Sequence, residues 1–186
     1  SWLVGVWEGT GVIDYEAAGH RYAGEFAHRV SFSHDGGDYL NYSATAWMSS
    51  DDDGPGTRLV AETGYWRLAR PLGDADAGPG LLPALAPAPP RTVDDVEALR
   101  AAEGGFEIEA AIVHSDGISE LYLGHVTGPR IDLATDAVVR PSGAKQYAAA
   151  TRLYGLVDGH LLWAWDIAAL GTELGSHASA RLARAD

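Results

Sequence analysis

GVWEGTGVIDY, residues 5–15, is the stretch whose reading decides the fold. Taken as a β-strand, it places Gly5, Trp7, Gly9, Gly11 and Tyr15 on one face. A row of three glycines beside a tryptophan suits a sharply curved strand, because glycine tolerates bending and close backbone approach while the indole fills space. The segment is therefore expected to open a barrel, with Trp7 plugging one end. A phosphate-cradling reading of the same glycines fails, since that fingerprint needs a preceding strand, a third glycine at the right offset and a following helix.

Working outward, residues 21–33, 38–48 and 57–69 repeat the pattern of short runs rich in Val, Tyr, Trp and Thr. With residues 3–13 they read as a four-strand meander. HDGGD at 34–38 and DDDGPG at 51–56 mark turns, where Asp and Gly supply local hydrogen bonds and positive φ. Six further strands are expected at 106–114, 117–127, 130–138, 145–156, 160–169 and 176–184, with SDG at 115–117 and VDGH at 157–160 as turns. Between the two sets, residues 71–104 form a Pro/Ala/Gly-rich insertion that cannot pair in a sheet. Its end, TVDDVEALRAAEGG, predicts one short amphipathic helix capped by Thr92, striped by Val93, Val96 and Leu99 and stopped at Gly104.

About ten sequential hairpin strands must either leave two open edges or close on themselves. Closure predicts an all-β chain, residues 1–186 as one antiparallel up-and-down barrel. A barrel of this strand number is wider than its side chains fill, so it should hold one small ligand.

Composition narrows the options. The 186 residues carry 26 acidic and 13 basic side chains, a net charge of -13, which repels phosphate backbones and anionic lipid. No nucleic-acid or membrane partner is expected. The absence of cysteine removes disulfides, thiolate metal sites and thiol catalysis. No stretch approaches the ~20 apolar residues of a membrane span, and the opening SWLVGVWEGT has no basic signal-peptide start, so a cytoplasmic location is expected. Whether the barrel pairs into a homodimer is left open.

Among candidate chemistry, DDDG at 51–54 lacks the glutamate of a calcium loop, with Val60 standing there instead. His20, His28, His34, His114, His125 and His160 lie near expected turns or strand ends at no metal-ligand spacing and are expected to be solvated. Glu62 and Arg67 have opposite strand parity and should face opposite ways. No nucleophile-elbow context is present.

Together, the G-x-W-x-G-x-G pattern at Gly5, Trp7, Gly9 and Gly11, AETGYWR at 61–67, VHSDGISELYLG at 113–124, AK at 144–145, YGLVDGHLLW at 154–163 and LGSHASARL at 174–182 resemble the nitrobindin family. The order and spread of these matches cover nearly the whole chain outside 71–104. The resemblance implies a calycin-like barrel, related to fatty-acid-binding proteins, that holds ferric haem b, binds nitric oxide or peroxynitrite and isomerises peroxynitrite to nitrate. It also implies that His177 is the axial ligand of the iron and that Lys145 pairs with a haem propionate. Neutral imidazole suits the first role.

Strand parity alone leaves His177 undecided. It shares a face with Gly175, Ser179 and Arg181, while Leu174, Ala178, Ala180 and Leu182 form the more apolar face. The chain also departs from the family. Many members carry a histidine two residues before the glutamate of the ETGY segment, where Val60 stands here, so a more apolar ligand side is expected. The insertion is expected to be a lid or a disordered segment, able to cap or obstruct the haem mouth. These two departures favour the alternative of a haem-free carrier of a fatty acid or another small apolar ligand.

Overall fold

The computed structural model describes residues 1–49, 56–87 and 92–185. Ten strands run in chain order: β1 (Gly5–Ala17), β2 (His20–Ser33), β3 (Tyr39–Met48), β4 (Arg58–Leu68), β5 (Phe106–His114), β6 (Ser119–Thr127), β7 (Arg130–Val139), β8 (Tyr147–Val157), β9 (His160–Ala169) and β10 (Gly175–Arg184). Each pairs antiparallel with its chain neighbours, and β10 returns to β1 to close the barrel. The expected all-β barrel is thus observed, with strand limits displaced by only a few residues. The turn expected at 51–56 and the DDDG stretch fall almost wholly outside the described residues.

Closure is where the glycines act. β1 and β10 pair from Trp7 opposite Arg184 to Ile13 opposite Ala178. A Cβ on Gly9 would lie 2.2 Å from the Arg181 carbonyl oxygen, and one on Gly11 2.3 Å from that of Ser179. The two strands approach too closely for any side chain at these positions. Trp7 is buried beside them, its indole N–H donating to the Leu3 carbonyl at 2.8 Å, and Arg184 stacks over its ring. Phe32, Tyr42, Trp66, Tyr154, Leu161 and Leu182 complete this plugged half of the interior.

The other half of the barrel is less regular. Every break in register lies there: Ala46/Trp47 against β4, Leu121/Tyr122 against β7, Tyr147/Ala149 against β9 and Ser176/Ala178 against β9. Pairing between β7 and β8 stops after Ala134 and Thr151. Beyond that point the Thr135 hydroxyl replaces the ladder, accepting from the Ala150 N–H at 3.0 Å. Bulges concentrate at barrel rims and beside functional sites because an extra residue bends the strand and re-aims a side chain.

The insertion joins β4 to β5 and lies at the plugged end, with Trp7. It is pinned there by Arg70, which pairs with Asp76 within the connection and with Asp38 of the β2–β3 turn at 3.2 Å. The expected helix is shorter than its sequence pattern: α1 spans Val93–Glu97, with Thr92 and Asp95 forming a capping box. Two glycines with positive φ, Gly104 and Gly105, follow it, and Val93 is exposed instead of packed. One turn of helix with no wholly buried residue rests on its cap, and too little apolar surface is covered to extend it.

Replacing Gly11 by alanine should lower stability by about 2 kcal/mol or more, the cost of forcing a methyl into a packed interior whose obstacle is backbone. The expected observation is a lower urea midpoint at unchanged slope; an unaltered midpoint would refute the close approach.

Candidate functional site

Ionisable side chains occupy the middle of the barrel. Arg152 on β8 is fully buried and grips Glu62 on β4 with two parallel bonds of 2.8 Å, while reaching Glu120 on β6 at 3.2 Å. Tyr42 donates to Glu62 at 2.8 Å, and Tyr122 and Tyr147 donate to Glu120 at 2.6 and 2.5 Å. His114 on β5 stands 2.6 Å from Glu120 and 3.5 Å from Glu62.

Burial acts on the Glu62 carboxyl in the opposite sense, but the Arg152 charge prevails and holds it down at about 2. Burial likewise disfavours a charged His114, yet its bond to Glu120 and the two carboxylates raise its pKa above the ordinary value. When protonated, His114 joins Arg152 in balancing the two carboxylates. Ligand atoms of Glu62, His114 and Glu120 come within 4.8 Å of one another, close enough for a metal ion, but both carboxylates are already committed to a guanidinium.

Above this layer sit two tryptophans of β9. The Arg152 guanidinium lies 4.5 Å from the Trp165 ring centre, and His114 stacks on the same indole at 6.0 Å and 21°. Trp165 in turn meets His177 edge-on at 5.5 Å. From the other side Tyr15 meets the His177 ring at 4.8 Å and 85°, its hydroxyl anchored on the Ala169 carbonyl at 3.2 Å and on Thr172.

The bulge in β10 answers the question that parity left open. Gly175 faces Ile167, Ser176 faces Asp166, and Ala178 already faces Trp165, so His177 is the unpaired extra residue. Ala178, Ala180 and Leu182 therefore keep the apolar inward face, and His177 also turns inward, against Tyr15 and Trp165. Burial alone lowers its pKa to about 4, so the imidazole is neutral near pH 7. Its Nδ1 is buried without a hydrogen-bond partner, as are the indole nitrogens of Trp163 and Trp165. A neutral imidazole held in one plane, at an irregular barrel end among unsatisfied nitrogens, has the donor chemistry of a haem ligand.

The other expected residues are distributed as follows. Lys145 is exposed on the β7–β8 connection at the same end as His177; the adjacent Gln146 carbonyl accepts from Leu170 of the β9–β10 turn at 3.0 Å. Val60 is inward and half-buried on β4, one strand pairing from Ala46. Gly5, Trp7, Gly9 and Gly11 belong to barrel closure at the far end. The described residues of the insertion, 71–87 and 92–104, also lie there, so none of them caps or obstructs the His177 end.

Two histidines expected to be solvated are not: His28 is buried and His114 is largely enclosed. The His28 Nδ1–H donates to the Thr45 carbonyl at 3.0 Å, its Nε2 is unpartnered beside Trp163, and burial lowers its pKa. His114 belongs to the charged layer. Both share strand parity with apolar neighbours, His28 with Phe26 and Val30, His114 with Ile112 and Ala110. That parity was the available signal. Arg152 and Glu120 were missed for the same reason; each alternates in step with buried tyrosines.

A family model described as a THAP4-like, haem-binding β-barrel domain matches residues 1–184. A protein of Leifsonia xyli subsp. xyli named peroxynitrite isomerase is 63% identical over 186 residues, covering all of this chain and 92% of that protein. One of the same name from Clavibacter michiganensis subsp. michiganensis is 58% identical over the same coverage. Among solved structures, the crystal structure of Rv2717c from M. tuberculosis superposes with a TM-score of 0.69 at 25% identity, covering all of this chain and 94% of that one. No helix among the described residues is long and apolar enough to cross a membrane.

Substituting Arg152 with methionine strands two buried carboxylates and should cost about 3–5 kcal/mol, as loss of one partner of a buried ion pair does; a calorimetric midpoint close to wild type would exclude this. The pH dependence has a definite sign. His177 binds its proton near pH 6.5 when unfolded and near 4 when folded, so stability is full above about 6.5 and declines as pH falls toward 4. His28 adds to that slope and His114 opposes it. A urea-midpoint series should show the apo-protein losing stability across this window, less steeply for His177→Phe; equal slopes would contradict the burial of His177.

Proposed function

The chain belongs to the THAP4-like haem-binding β-barrel family, and from that premise we propose that it holds ferric haem b through His177 and isomerises peroxynitrite to nitrate. The observation that carries this reading is the neutral, inward-turned His177 imidazole, clamped edge-on by Tyr15 and Trp165. The name borne by relatives of up to 63% identity supplies the reaction. Val60 makes the ligand side apolar. It does not weaken the case for iron coordination, which needs only the lone pair of His177.

Bound haem supplies the Lewis-acidic iron for the reaction. The chain's own residues do the rest. His177 gives a lone pair without first losing a proton, because burial keeps it neutral. Tyr15 and Trp165 fix the ring plane, and the charged layer beneath Trp165 keeps that indole in place. Lys145, exposed at this end, would pair with a propionate carboxylate of the bound haem. Converting peroxynitrite to nitrate alters no atom count, charge or proton count, so the protein needs no reductant and no net proton donor. Its task is to position the ligand group, limit water and keep reacting fragments together.

Titration of the apo-protein with ferric haem should give a saturable, sharply shifted Soret band, abolished in His177→Ala and partly restored by added imidazole. Lys145→Gln should weaken haem binding a few-fold, as loss of a rim charge pair does, without changing the band position. An unaltered band in His177→Ala would overturn the assignment of the ligand; no specific band in either protein would overturn the haem reading.

A further inference from the structure

One member of the charged layer is open to the outside. The side chains of Glu62, Glu120 and Arg152 are at most 1% exposed, whereas that of His114 is 10% exposed. His114 is the last residue of β5 and His177 lies near the start of β10, and up-and-down connectivity puts those two strand ends at the same end of the barrel. Both rings touch one indole, His114 stacking on Trp165 at 6.0 Å and His177 meeting it edge-on at 5.5 Å. Val60, inward on β4, stands two residues before Glu62, which pairs with His114 across the β4–β5 ladder.

The two nitrogens of His114 are not equivalent. Nε2 stands 2.6 Å from a Glu120 oxygen and 3.5 Å from one of Glu62, and an ionised carboxylate can only accept, so Nε2 keeps its hydrogen whether the ring is charged or neutral. Nδ1 has no partner among the described residues and is not enclosed. The proton that His114 gains and loses is therefore the one on Nδ1. Glu62 on β4 and Glu120 on β6 favour that proton, while burial and Arg152 on β8 oppose it; the balance lies above the ordinary value. Tyr147, also on β8, faces the ring with its hydroxyl already given to Glu120.

No other inward basic group among the described residues can offer a charged N–H here. The Arg152 guanidinium is committed to Glu62, Glu120, Tyr42 and Tyr122. Burial lowers the pKa of both His28 and His177. In a chain of net charge -13, an anion entering this end is otherwise repelled. A donor on an ionised ring makes a bond roughly twice as strong as a neutral one, and donors beside a haem decide which ligands it holds.

We propose that His114 is a specificity-determining residue of the haem-loaded protein, its Nδ1–H donating to an anionic ligand on the iron and so favouring anions over neutral ligands such as nitric oxide. This rests on the haem reading above. Glu120 is the positioning residue: by holding Nε2–H it turns Nδ1 outward and leaves it as the site of the labile proton. The donor stands beside the apolar Val60, so an anion is held by one directed bond in otherwise apolar surroundings.

The test titrates azide, an anion, and nitric oxide, a neutral ligand, into the ferric haem-loaded full chain and into His114→Gln and His114→Phe, read at the Soret band. Azide affinity should fall about tenfold or more in His114→Phe, and less in His114→Gln, which keeps a neutral N–H, with nitric oxide affinity changed less than about threefold. In wild type, azide affinity should decline between about pH 6 and 9 as the Nδ1 proton is lost, more steeply than in His114→Gln and more steeply than for nitric oxide. Unchanged azide affinity in His114→Phe, equal losses of azide and nitric oxide, or parallel pH profiles in wild type and His114→Gln would each overturn the proposal. If neither variant takes up haem, the wild-type profiles decide, and one no steeper for azide than for nitric oxide overturns it. Absence of a specific Soret band in wild type would instead overturn the haem reading, and this inference with it.

Discussion

A guanidinium buried at the centre of a β-barrel constrains everything around it. Arg152 cannot leave the interior, and its charge is tolerable only because Glu62 and Glu120 face it from other strands and tyrosine hydroxyls satisfy the remaining lone pairs. Desolvating these ions is costly, and the cost is offset only when every member is in place. β4, β6 and β8 are thereby held to one registration, and β5 joins through His114. The layer also divides the interior into a packed aromatic half and a half where the strands are irregular.

The two halves solve different problems. At the Trp7 end, the requirement is closure: β1 and β10 meet so closely that Gly9 and Gly11 have no room for a Cβ. At the His177 end, the requirement is to present a polar side chain from a strand whose alternation is already spent on Ala178, Ala180 and Leu182. One extra residue meets it. The bulge gives β10 two consecutive inward positions, and the cation–π and stacking contacts on Trp165 link the orientation of His177 to the charged layer below. The long connection at the opposite end leaves this arrangement untouched and creates a separate apolar space.

Much of this was legible in the residues. Period-two alternation broken by Gly, Asp and Pro gave ten strands, because a strand with one buried face must alternate, and sequential hairpins leave closure as the way to remove both edges. The glycine row of β1 pointed to a curved wall, and Thr92 to a helix cap. His28 and His114 were misread because spacing was weighed where parity should have been: each sits in step with buried neighbours on its own strand. That much a single strand could have told.

What one strand could not tell is which distant residues meet. Glu62, Glu120 and Arg152 are separated by tens of residues, and their mutual neutralisation exists only once the barrel has closed and set the register between strands. The direction of His177 depends on a bulge, and a bulge is a mismatch between two strands, invisible in either alone. The insertion's place at the plugged end, by contrast, follows from up-and-down connectivity alone, in which alternate turns lie at opposite ends. The sequence by itself determined the strands, the closed barrel and the chemical types available. Only the tertiary structure decided which charges pair and which way the key imidazole turns, because those depend on distances between segments that the chain order does not fix.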